Sequence, residues 1–209
     1  MRKILTLIVL LFCFQIKAQE NNSNEIENSE EKIPIKSISI GLKIGVPNMA
    51  SGTFEYVLPV MDNHIAPYVN YGAYDIQIDQ TLIDLSYSEF GAKYYFNNQG
   101  KGFYAGLGIS SFASSLKYTD LSLSGGLSGT GSVDLNIDTT ILKLGVKTGG
   151  TLYFSFELGY GLGSIPDSLT FIGTSSNGYS ESVTEEIPSI PGIGSGGIVV
   201  GNIGLGISF

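Results

Sequence analysis

Residues 202–209 read NIGLGISF and alternate between two kinds of side chain. The odd-numbered positions carry Ile, Leu, Ile and Phe, and the even-numbered positions carry Asn, Gly, Gly and Ser. A period of two over eight residues predicts a β-strand with one apolar face. Terminal residues of soluble domains usually fray in polar sequence, but this pattern continues to the last residue. We therefore expect the terminal strand to be an essential part of a sheet.

The same period of two recurs seven times upstream. The first run is SISIGLKIGV, at 37–46, in which Ile, Leu and Val alternate with Ser, Gly and Lys. The others are TFEYVLPV at 53–60, the less regular IAPYVNYGAY at 65–74, SEFGAKYYF at 88–96, GFYAGLGIS at 102–110, LKLGVK at 142–147 and LYFSFELGYG at 152–161. No helical pattern follows residue 18. The sequence therefore predicts an all-β chain with eight strands.

Alternate connections between these runs are short, and the others lengthen along the chain. The short ones are MDN at 61–63, NNQGK at 97–101 and GG at 149–150. The longer ones fall at 47–51, about 75–82, about 119–136 and about 164–195. Eight strands that run up and down through a slab produce this asymmetry. It is typical of transmembrane barrels, which have short periplasmic turns and longer outer loops.

The polar face of the runs indicates which solvent the apolar face meets. Only 14% of residues are charged, 28 are glycine, and tryptophan is absent. In a soluble lipocalin-like barrel the polar face would meet water and carry many charged side chains. Here that face is mostly Gly, Ser and Thr, which suits the crowded interior of an eight-stranded barrel. We therefore favour a transmembrane barrel and keep a soluble ligand-binding barrel as an alternative.

Aromatic residues cluster near both ends of the predicted strands, as they do at membrane interfaces. At the short-turn end they are Tyr94, Tyr95, Phe96, Phe103, Phe154 and Phe209. At the long-loop end they are Tyr71, Tyr74, Tyr87, Phe112 and Tyr160. This distribution predicts two aromatic girdles on the outside of the barrel.

Residues 1–18 have the features of an export signal. Two basic residues are followed by an almost wholly apolar run at 4–16, and Ala18 supplies a small residue before a cleavage site. We predict a signal peptide cleaved between Ala18 and Gln19. A transmembrane anchor is the less favoured alternative, because the apolar run is shorter than the roughly 20 residues that a spanning helix needs. A lipoprotein signal at Cys13 is disfavoured by the bulky residue before it.

Removal of residues 1–18 would leave a strongly acidic chain without cysteine. It would hold 8 lysines, no arginine and 19 acidic residues, a formal charge of −11. Such a chain can form no internal disulfide and has no basic stripe for binding nucleic acid. Residues 19–35 are rich in Asn, Ser and Glu with little to bury, which predicts a disordered periplasmic segment. The barrel domain is predicted at 36–209.

The chain resembles the small eight-stranded outer-membrane β-barrels of Gram-negative bacteria, the OmpA/OmpX type. In that family the last strand carries a signal read by the barrel-assembly machinery. The positions that match this signal are Asn202, Gly204, Ile207 and Phe209. The resemblance covers residues 36–209 and implies an eight-stranded antiparallel up-and-down transmembrane barrel in the bacterial outer membrane. It also implies periplasmic chaperones and the assembly machinery as partners during biogenesis.

Strand parity places seven charged side chains on the inner face of the predicted barrel. They are Lys43, Glu55, Glu89, Lys93, Lys143, Lys147 and Glu157. Four cations and three anions would be costly to leave unpaired in a narrow interior, so we expect salt bridges between them. We favour a structural plug that closes the lumen. The alternative is a narrow pathway for ions or small solutes, to which the lysines would give a slight anion preference.

We predict no enzymatic activity, no metal site and no cofactor. Small outer-membrane barrels that modify lipids or cut peptides use a histidine near the outer rim, together with Ser, Asp or Glu. The single histidine, His64, lies instead in a predicted periplasmic turn. No nucleotide loop, nucleophile elbow or metal-ligand spacing is present. The loop carboxylates Asp167, Glu181, Glu185 and Glu186 are too scattered to predict a calcium site.

Two outer loops are the candidates for contact with a ligand or partner. Loop three, at 116–138, keeps alternating on both sides of a Gly/Ser apex and is expected to project as a hairpin. Loop four, at 164–197, contains three Ile-Pro pairs and is interpreted as a passive surface loop, with a lid or an extracellular binding segment as the alternative. We therefore expect a monomeric barrel with a role in envelope integrity or adhesion, surrounded by outer-membrane lipid.

Overall fold

The structure is a computed structural model that describes residues 35–97, 99–123, 127–175, 177–186 and 193–209. The predicted signal peptide, its cleavage site and all but the last residue of the predicted acidic segment lie outside the described residues. Residues Ile35–Phe209 belong to one compact unit. No helix in the described ranges is long and apolar enough to cross a membrane.

Eight strands of the described chain close into an antiparallel barrel. They are β1 (Ile38–Val46), β2 (Met49–Tyr56), β3 (Ile65–Ile78), β4 (Thr81–Tyr95), β5 (Gly102–Leu123), β6 (Leu127–Lys147), β7 (Leu152–Leu162) and β11 (Gly197–Ser208). Each pairs with the strand before it along the barrel, and β11 pairs with both β7 and β1. Closure leaves no free edge within the barrel wall. The predicted fold, an eight-stranded antiparallel up-and-down barrel, is confirmed.

The strand β11 seals the barrel. Its outward residues lie directly opposite outward residues of β1, as in the pairs Ile40–Ile207 and Leu42–Leu205. The backbone amide of Phe209 donates to the carbonyl of Ile38 at 2.8 Å. The alternation continues as far as residue 208 because every residue from 201 to that point belongs to the β1–β11 ladder.

The two faces of the barrel wall follow the predicted alternation. Leu42, Ile44, Leu144 and Ile203 point outward, with 63–69% of each residue exposed. The residues between them point inward and are small or polar, such as the serine at 39 and the glycine at 204. Apolar residues thus cover the outside, and polar residues fill the inside, which is the reverse of a soluble barrel.

The connections differ from the predicted pattern. The connection predicted at 47–51 is a two-residue turn, and the ones predicted near 75–82 and 119–136 are mostly strand, because β3–β6 continue as paired hairpins. We call the end of the barrel at which these connections lie the hairpin end. At the opposite end, the turn end, the connections lie at 57–64, 96–101 and 148–151, and the first of them contains a 3-10 turn, Met61–Asn63. The asymmetry therefore lies in strand length more than in loop length.

Loop four contains strands of its own. A hairpin of β8 (Ser168–Ser175) and β9 (Ser180–Glu186) pairs with the upper part of β6, and the short β10 (Ile193–Gly194) pairs with the start of β11. The alternation in β8 and β9 was not recognised in the sequence. The described sheet therefore continues beyond the barrel in the order β3-β4-β5-β6-β8-β9.

The outer face changes from apolar to polar partway along the tall strands β3–β6. The last mainly apolar row across the strands is Val69, Phe90, Ile109, Thr140 and Leu162. The next outer row is Tyr71, Ser88, Ser111 and Asp138. Two rows further, the sheet carries Asp75, Asp84, Ser115 and Asp134. We call the part of β3–β6 beyond the last apolar row, together with β8 and β9, the projecting sheet.

The inner face changes in the opposite sense. One row across β3–β6 is Ile76, Ile83, Leu116 and Val133, and the row below it is Tyr74, Leu85, Ser114 and Leu135. On β3–β6 the projecting sheet therefore has an apolar inner face and a polar outer face, whereas the inner-face positions of β9 include Glu181 and Glu185. The exchange of polarity between the faces occurs at the same hydrogen-bonded row on four neighbouring strands.

Four of the predicted girdle residues point inward instead. Tyr95 and Tyr87 are almost completely buried, with 0% and 2% exposure. Their hydroxyls donate to lumen carboxylates, which a lipid-facing tyrosine could not do. Phe112 and Tyr74 occupy inner-face positions and are half-buried. Tyr94, by contrast, lies on the outside at the turn end as predicted, with 44% exposure.

Candidate functional site

The lumen holds all seven charged residues that strand parity places on the inner face. Each is buried, with at most 3% exposure: Lys43, Glu55, Glu89, Lys93, Lys143, Lys147 and Glu157. They come from five strands of the barrel, which are β1, β2, β4, β6 and β7. Side chains that are far apart in sequence therefore meet across the barrel axis.

The three glutamates form the centres of three clusters, and the cluster nearest the turn end is built on Glu55. Lys93 Nζ lies 2.6 Å from its Oε2, and Lys147 Nζ lies 2.7 Å from its Oε1. The Tyr95 hydroxyl donates to Oε1 at 2.8 Å, and Lys147 also donates to Ser39 Oγ at 2.7 Å. Both carboxylate oxygens thus accept a charged hydrogen bond.

Glu157 is the centre of the network. Lys43 Nζ lies 2.7 Å from its Oε1, and Lys143 Nζ lies 3.2 Å from its Oε2. The Tyr104 hydroxyl donates to Oε1 at 2.6 Å, and Lys93 Nζ lies 3.5 Å from the same oxygen. Lys93 therefore joins this cluster to the one at the turn end.

Glu89 forms the third cluster, toward the hairpin end. Its Oε1 accepts hydrogen bonds from Lys143 Nζ at 2.6 Å and from the Tyr68 hydroxyl at 2.5 Å. Its Oε2 accepts from Asn70 Nδ2 at 2.7 Å and from the Tyr87 hydroxyl at 2.9 Å. Because Lys143 also pairs with the central glutamate, all seven charges belong to one continuous network.

Aromatic rings stabilise the surplus of cations. The ammonium groups of Lys143, Lys93 and Lys43 lie 4.2, 5.2 and 5.5 Å from the ring centre of Tyr68. The negative face of a tyrosine ring attracts cations at these distances. Among the described buried side-chain atoms without a partner, none belongs to a lysine or glutamate. The network thus offsets the cost of burying charge through pairing and ring contacts.

Inner-face glycines provide the space that these long side chains fill. A Cβ placed on Gly204 would overlap Ser155 Oγ and lie 3.2 Å from Lys43 Cγ. A Cβ on Gly145 would lie 2.5 Å from the Tyr104 ring. The glycines and the large polar side chains are therefore complementary. The sequence indicated the crowding but not which glycine faces which side chain.

Two apolar clusters flank the network, one toward each end of the barrel. At the turn end, buried Val57 and Ala66 pack with the two lumen tyrosines at 95 and 104. At the hairpin end the second cluster includes a residue of loop four, Ile165, which lies just after β7. The backbone amide of Ile165 donates to the carbonyl of Ser195, in the same loop. The members of this cluster are Ile137, Ile165 and Ile198, with Phe112 and Leu135 packed against them. Clusters of buried apolar side chains thus lie at both ends of the charged network.

The four positions of the expected assembly signal lie at the closure of the barrel. Asn202 is buried, with its Nδ2 3.5 Å from Glu157 Oε2, and Gly204 lies opposite the residues at 43 and 155. Ile207 and Phe209 point outward, and Phe209 is 62% exposed. Two of the four positions thus have a structural role in the lumen. The outward pair is accessible for recognition by another protein.

Replacing Phe209 by aspartate is expected to remove most assembled protein from the outer membrane, because the exposed aromatic end of the strand is what the assembly machinery would read. The backbone bonds between residues 209 and 38 do not need the side chain. Refolding of the purified variant in detergent should therefore remain close to that of the native chain. Heat-modifiable gel migration of membrane fractions and of refolded protein measures both. Phe209→Tyr is the control, and normal insertion of Phe209→Asp in cells would contradict the assembly role.

The single histidine lies at the turn end, away from the projecting sheet. His64 stacks on Tyr94 with ring centres 5.2 Å apart, and its Nδ1 lies 2.5 Å from the carbonyl oxygen of Tyr95. The carbonyl can only accept, so Nδ1 carries the proton and donates. Within the described residues no group of three His, Cys, Asp or Glu side chains is arranged to hold a metal ion. His64 thus acts as a packing residue of the turn.

No protein-family model and no curated protein matches this sequence. The fold is similar to the crystal structure of a major outer membrane protein from Thermus thermophilus, with a TM-score of 0.51 and 11% identity over 83% of this chain and 98% of that chain. The crystal structure of CarO2 from Acinetobacter baumannii gives a TM-score of 0.46 and 11% identity over 84% of this chain and 100% of that chain. The Thermus structure supports the closed-barrel fold, and at this identity the likeness is one of fold alone.

Proposed function

We propose that this chain is an integral outer-membrane β-barrel of the OmpA/OmpX type that anchors a projecting sheet at the bacterial surface. The observation that carries the proposal is the exchange of polarity between the two faces of β3–β6. Below the last apolar row the sheet is apolar outside and polar inside, and above it the sheet has the opposite arrangement. A bilayer surface that crosses β3–β6 near this row accounts for both halves, because apolar side chains then face lipid below and avoid water above.

Strand lengths support the same placement. β1, β2, β7 and β11 have 9, 8, 11 and 12 residues. A tilted transmembrane strand needs about 9–11 residues. These four strands thus span little more than the bilayer, while β3–β6 span it and continue. A soluble barrel is disfavoured, because the outward rows would expose a continuous apolar surface far larger than monomeric soluble proteins tolerate.

The role that we propose is structural or adhesive, without enzymatic activity and without a conducting pore. The lumen favours this role over a channel, because its charges are paired and clusters of buried apolar residues lie at both ends of the network. Export by a signal peptide at 1–18, insertion by the barrel-assembly machinery and a monomeric state are parts of the same proposal. Contact with an extracellular ligand would fall to the projecting sheet, which includes parts of loops three and four.

Single-channel recording tests the closed lumen. The refolded chain in a planar bilayer is expected to give no discrete openings, since the charges in the lumen are paired and buried apolar clusters flank them. Heat-modifiable migration of the same sample shows that the barrel is folded, and a general porin in the same bilayer serves as positive control. Steady discrete openings from the folded chain would overturn the plug and favour the narrow pore. Lys43, Lys93, Lys143 and Lys147 would then be the residues to replace.

A further inference from the structure

We propose that a crevice on the outer face of β4–β6 binds the primary ammonium headgroup of an amphiphile from the outer leaflet. The inference rests on the proposed function, because it requires a bilayer surface near the last apolar row. It goes further by naming a binding site in the barrel wall, the chemical class of the headgroup and the residues that hold it.

The crevice lies where the outer face changes from apolar to polar, and its volume is about 420 Å³. All residues of the last mainly apolar row line it, which are Val69, Phe90, Ile109, Thr140 and Leu162. The next outer row contributes Ser88, Ser111 and Asp138. This volume falls within the range of ligand pockets and is far above the ~30 Å³ that one water molecule takes up. The crevice therefore suits an organic group that has an apolar part and a polar part.

The polar part of the crevice can accept hydrogen bonds from an ammonium group. Asp138 on β6 lies directly opposite Ser111 on β5, and Thr140 is the next outward residue of β6. Directly opposite side chains on one face have Cβ atoms about 4.5–5.5 Å apart, so a small group between them can contact both. A primary ammonium has three donors and no acceptor. It therefore matches a carboxylate flanked by hydroxyl oxygens.

Asp138 supplies the carboxylate that is open to a ligand in this crevice. Glu89 also lines the crevice, but both of its carboxylate oxygens accept hydrogen bonds inside the lumen. Asp138 is exposed, and its carboxylate makes no hydrogen bond or ion pair with any residue in the described ranges. A cation can therefore reach Asp138 without displacing a partner.

The charge around the crevice favours a cation over an anion. The described residues include no arginine, and their lysines other than Lys117 lie in the lumen or at the turn end. Lys117 is paired with Asp84 at 3.0 Å and is six residues from Ser111 along β5. The same outer face also carries Asp75 and Asp134. An anionic headgroup would thus meet an acidic surface without a free cation to bind.

The apolar part of the crevice indicates that the ammonium belongs to an amphiphile. Phe90, Ile109 and Leu162 are 58–63% exposed and lie on the side of the crevice toward the turn end. In the proposed placement this side faces lipid, so a hydrocarbon chain attached to the ammonium would pack along these residues. Burial of its CH₂ groups adds affinity that a dissolved amine lacks. The ligand is thus a lipid with a primary ammonium rather than a free amine.

Tryptophan fluorescence provides the test, because the chain contains no tryptophan. Phe90→Trp and Ile109→Trp each place a reporter in the crevice, and Ile203→Trp places a control reporter on the outside of β11. Each variant is refolded into phosphatidylcholine vesicles, and heat-modifiable migration shows that it is folded. It is then titrated with dibrominated octadecylamine and, separately, with dibrominated octadecanol, the uncharged counterpart. Bromine quenches tryptophan only at short range, so the loss of fluorescence reports local binding.

The amine should quench both crevice reporters at about one-fifth of the concentration that the alcohol needs, because it adds an ion pair with Asp138. The two probes should be nearly equal at Ile203→Trp. Adding Asp138→Asn to Phe90→Trp should abolish the preference for the amine. The matched control Asp134→Asn removes the same charge from the same face of β6, four residues away. It should keep the preference.

Equal quenching by amine and alcohol at both crevice reporters would overturn the site. Equal losses of preference with Asp138→Asn and Asp134→Asn would also overturn it, because the attraction would then belong to the whole acidic face. Stronger quenching by a dibrominated fatty-acid anion or a dibrominated trimethylammonium amphiphile would overturn the choice of a primary ammonium. Displacement of the amine by dissolved ethanolamine would show that the site binds a free amine instead of a lipid.

Dibrominated phosphatidylcholine distinguishes a failure of the proposed function from a failure of the site. If it leaves Ile203→Trp unquenched, the barrel is not in the bilayer and both proposals fail. Quenching there, together with no preference for the amine at Phe90→Trp and Ile109→Trp, defeats only the crevice.

Discussion

Replacing Glu157 by glutamine is expected to lower the free energy of unfolding of the barrel by about 3–5 kcal/mol, the cost of leaving buried charges without their partner. Glu157 is fully buried and lies within 3.5 Å of the ammonium groups of Lys43, Lys93 and Lys143. Glutamine keeps the shape and one carbonyl acceptor but removes the negative charge. Three neighbouring cations would then repel one another in a space from which water is excluded.

Urea unfolding of the refolded barrel in detergent, followed by heat-modifiable migration, measures this loss. Glu185→Gln on the exposed strand β9 is the matched control and should change the free energy by less than about 0.5 kcal/mol. The double variant Lys43→Met with Glu157→Gln restores the original balance of charge and should recover part of the loss. A Glu157→Gln barrel within about 1 kcal/mol of the native one would show that the network does not stabilise the closed lumen.

The barrel wall could be predicted from the sequence because strand faces obey a strict period of two. In β1 every second residue from Ile38 to Val46 points outward, as the pattern indicates. The same period places Lys43 and Glu157 inside. A shift of one residue would turn these charged side chains outward, toward lipid. The cost of exposing them there strongly favours the assigned faces.

The partners within the lumen could not be predicted, because they depend on how far each strand is shifted against its neighbour. Lys43 and Glu157 are 114 residues apart and meet only across the closed barrel. The tyrosines were misjudged for a related reason. Tyr95 occupies an inward position by parity, yet its place in an aromatic cluster suggested a girdle. The side chain of Tyr95 points into the lumen, where its hydroxyl donates to a buried carboxylate.

The length of the hairpins formed by β3–β6 was underestimated, because the apolar residues move from outward to inward positions at the proposed lipid boundary. After Ser110 the outward positions of β5 become Ser111, Ala113 and Ser115, so the apolar alternation that marks a lipid-facing strand disappears. The strand nevertheless continues, with apolar residues now at the inward positions. A search for apolar alternation with one fixed parity therefore reads the outer half of each hairpin as a loop.

Arginine substitutions along the outer face of β5 should locate that boundary. Leu107→Arg, in the middle of the apolar band, is expected to destabilise the barrel in lipid vesicles by about 2–4 kcal/mol, as charged residues do near the bilayer midplane. Ser115→Arg lies on the same face of the same strand, eight residues further along. It should cost about 0–1 kcal/mol, because it would stand in water between Asp84 and Asp134.

Urea titration in phosphatidylcholine vesicles gives the two values, and Ser111→Arg supplies an intermediate position. The cost should fall between residues 109 and 111, where the last apolar row meets the first polar one. The same variants in detergent micelles, which adapt to the protein, should differ less. Equal costs at Leu107 and Ser115 would place both residues in the same solvent. That result would show that the exchange of polarity does not mark the surface of a bilayer, and it would favour the soluble barrel again.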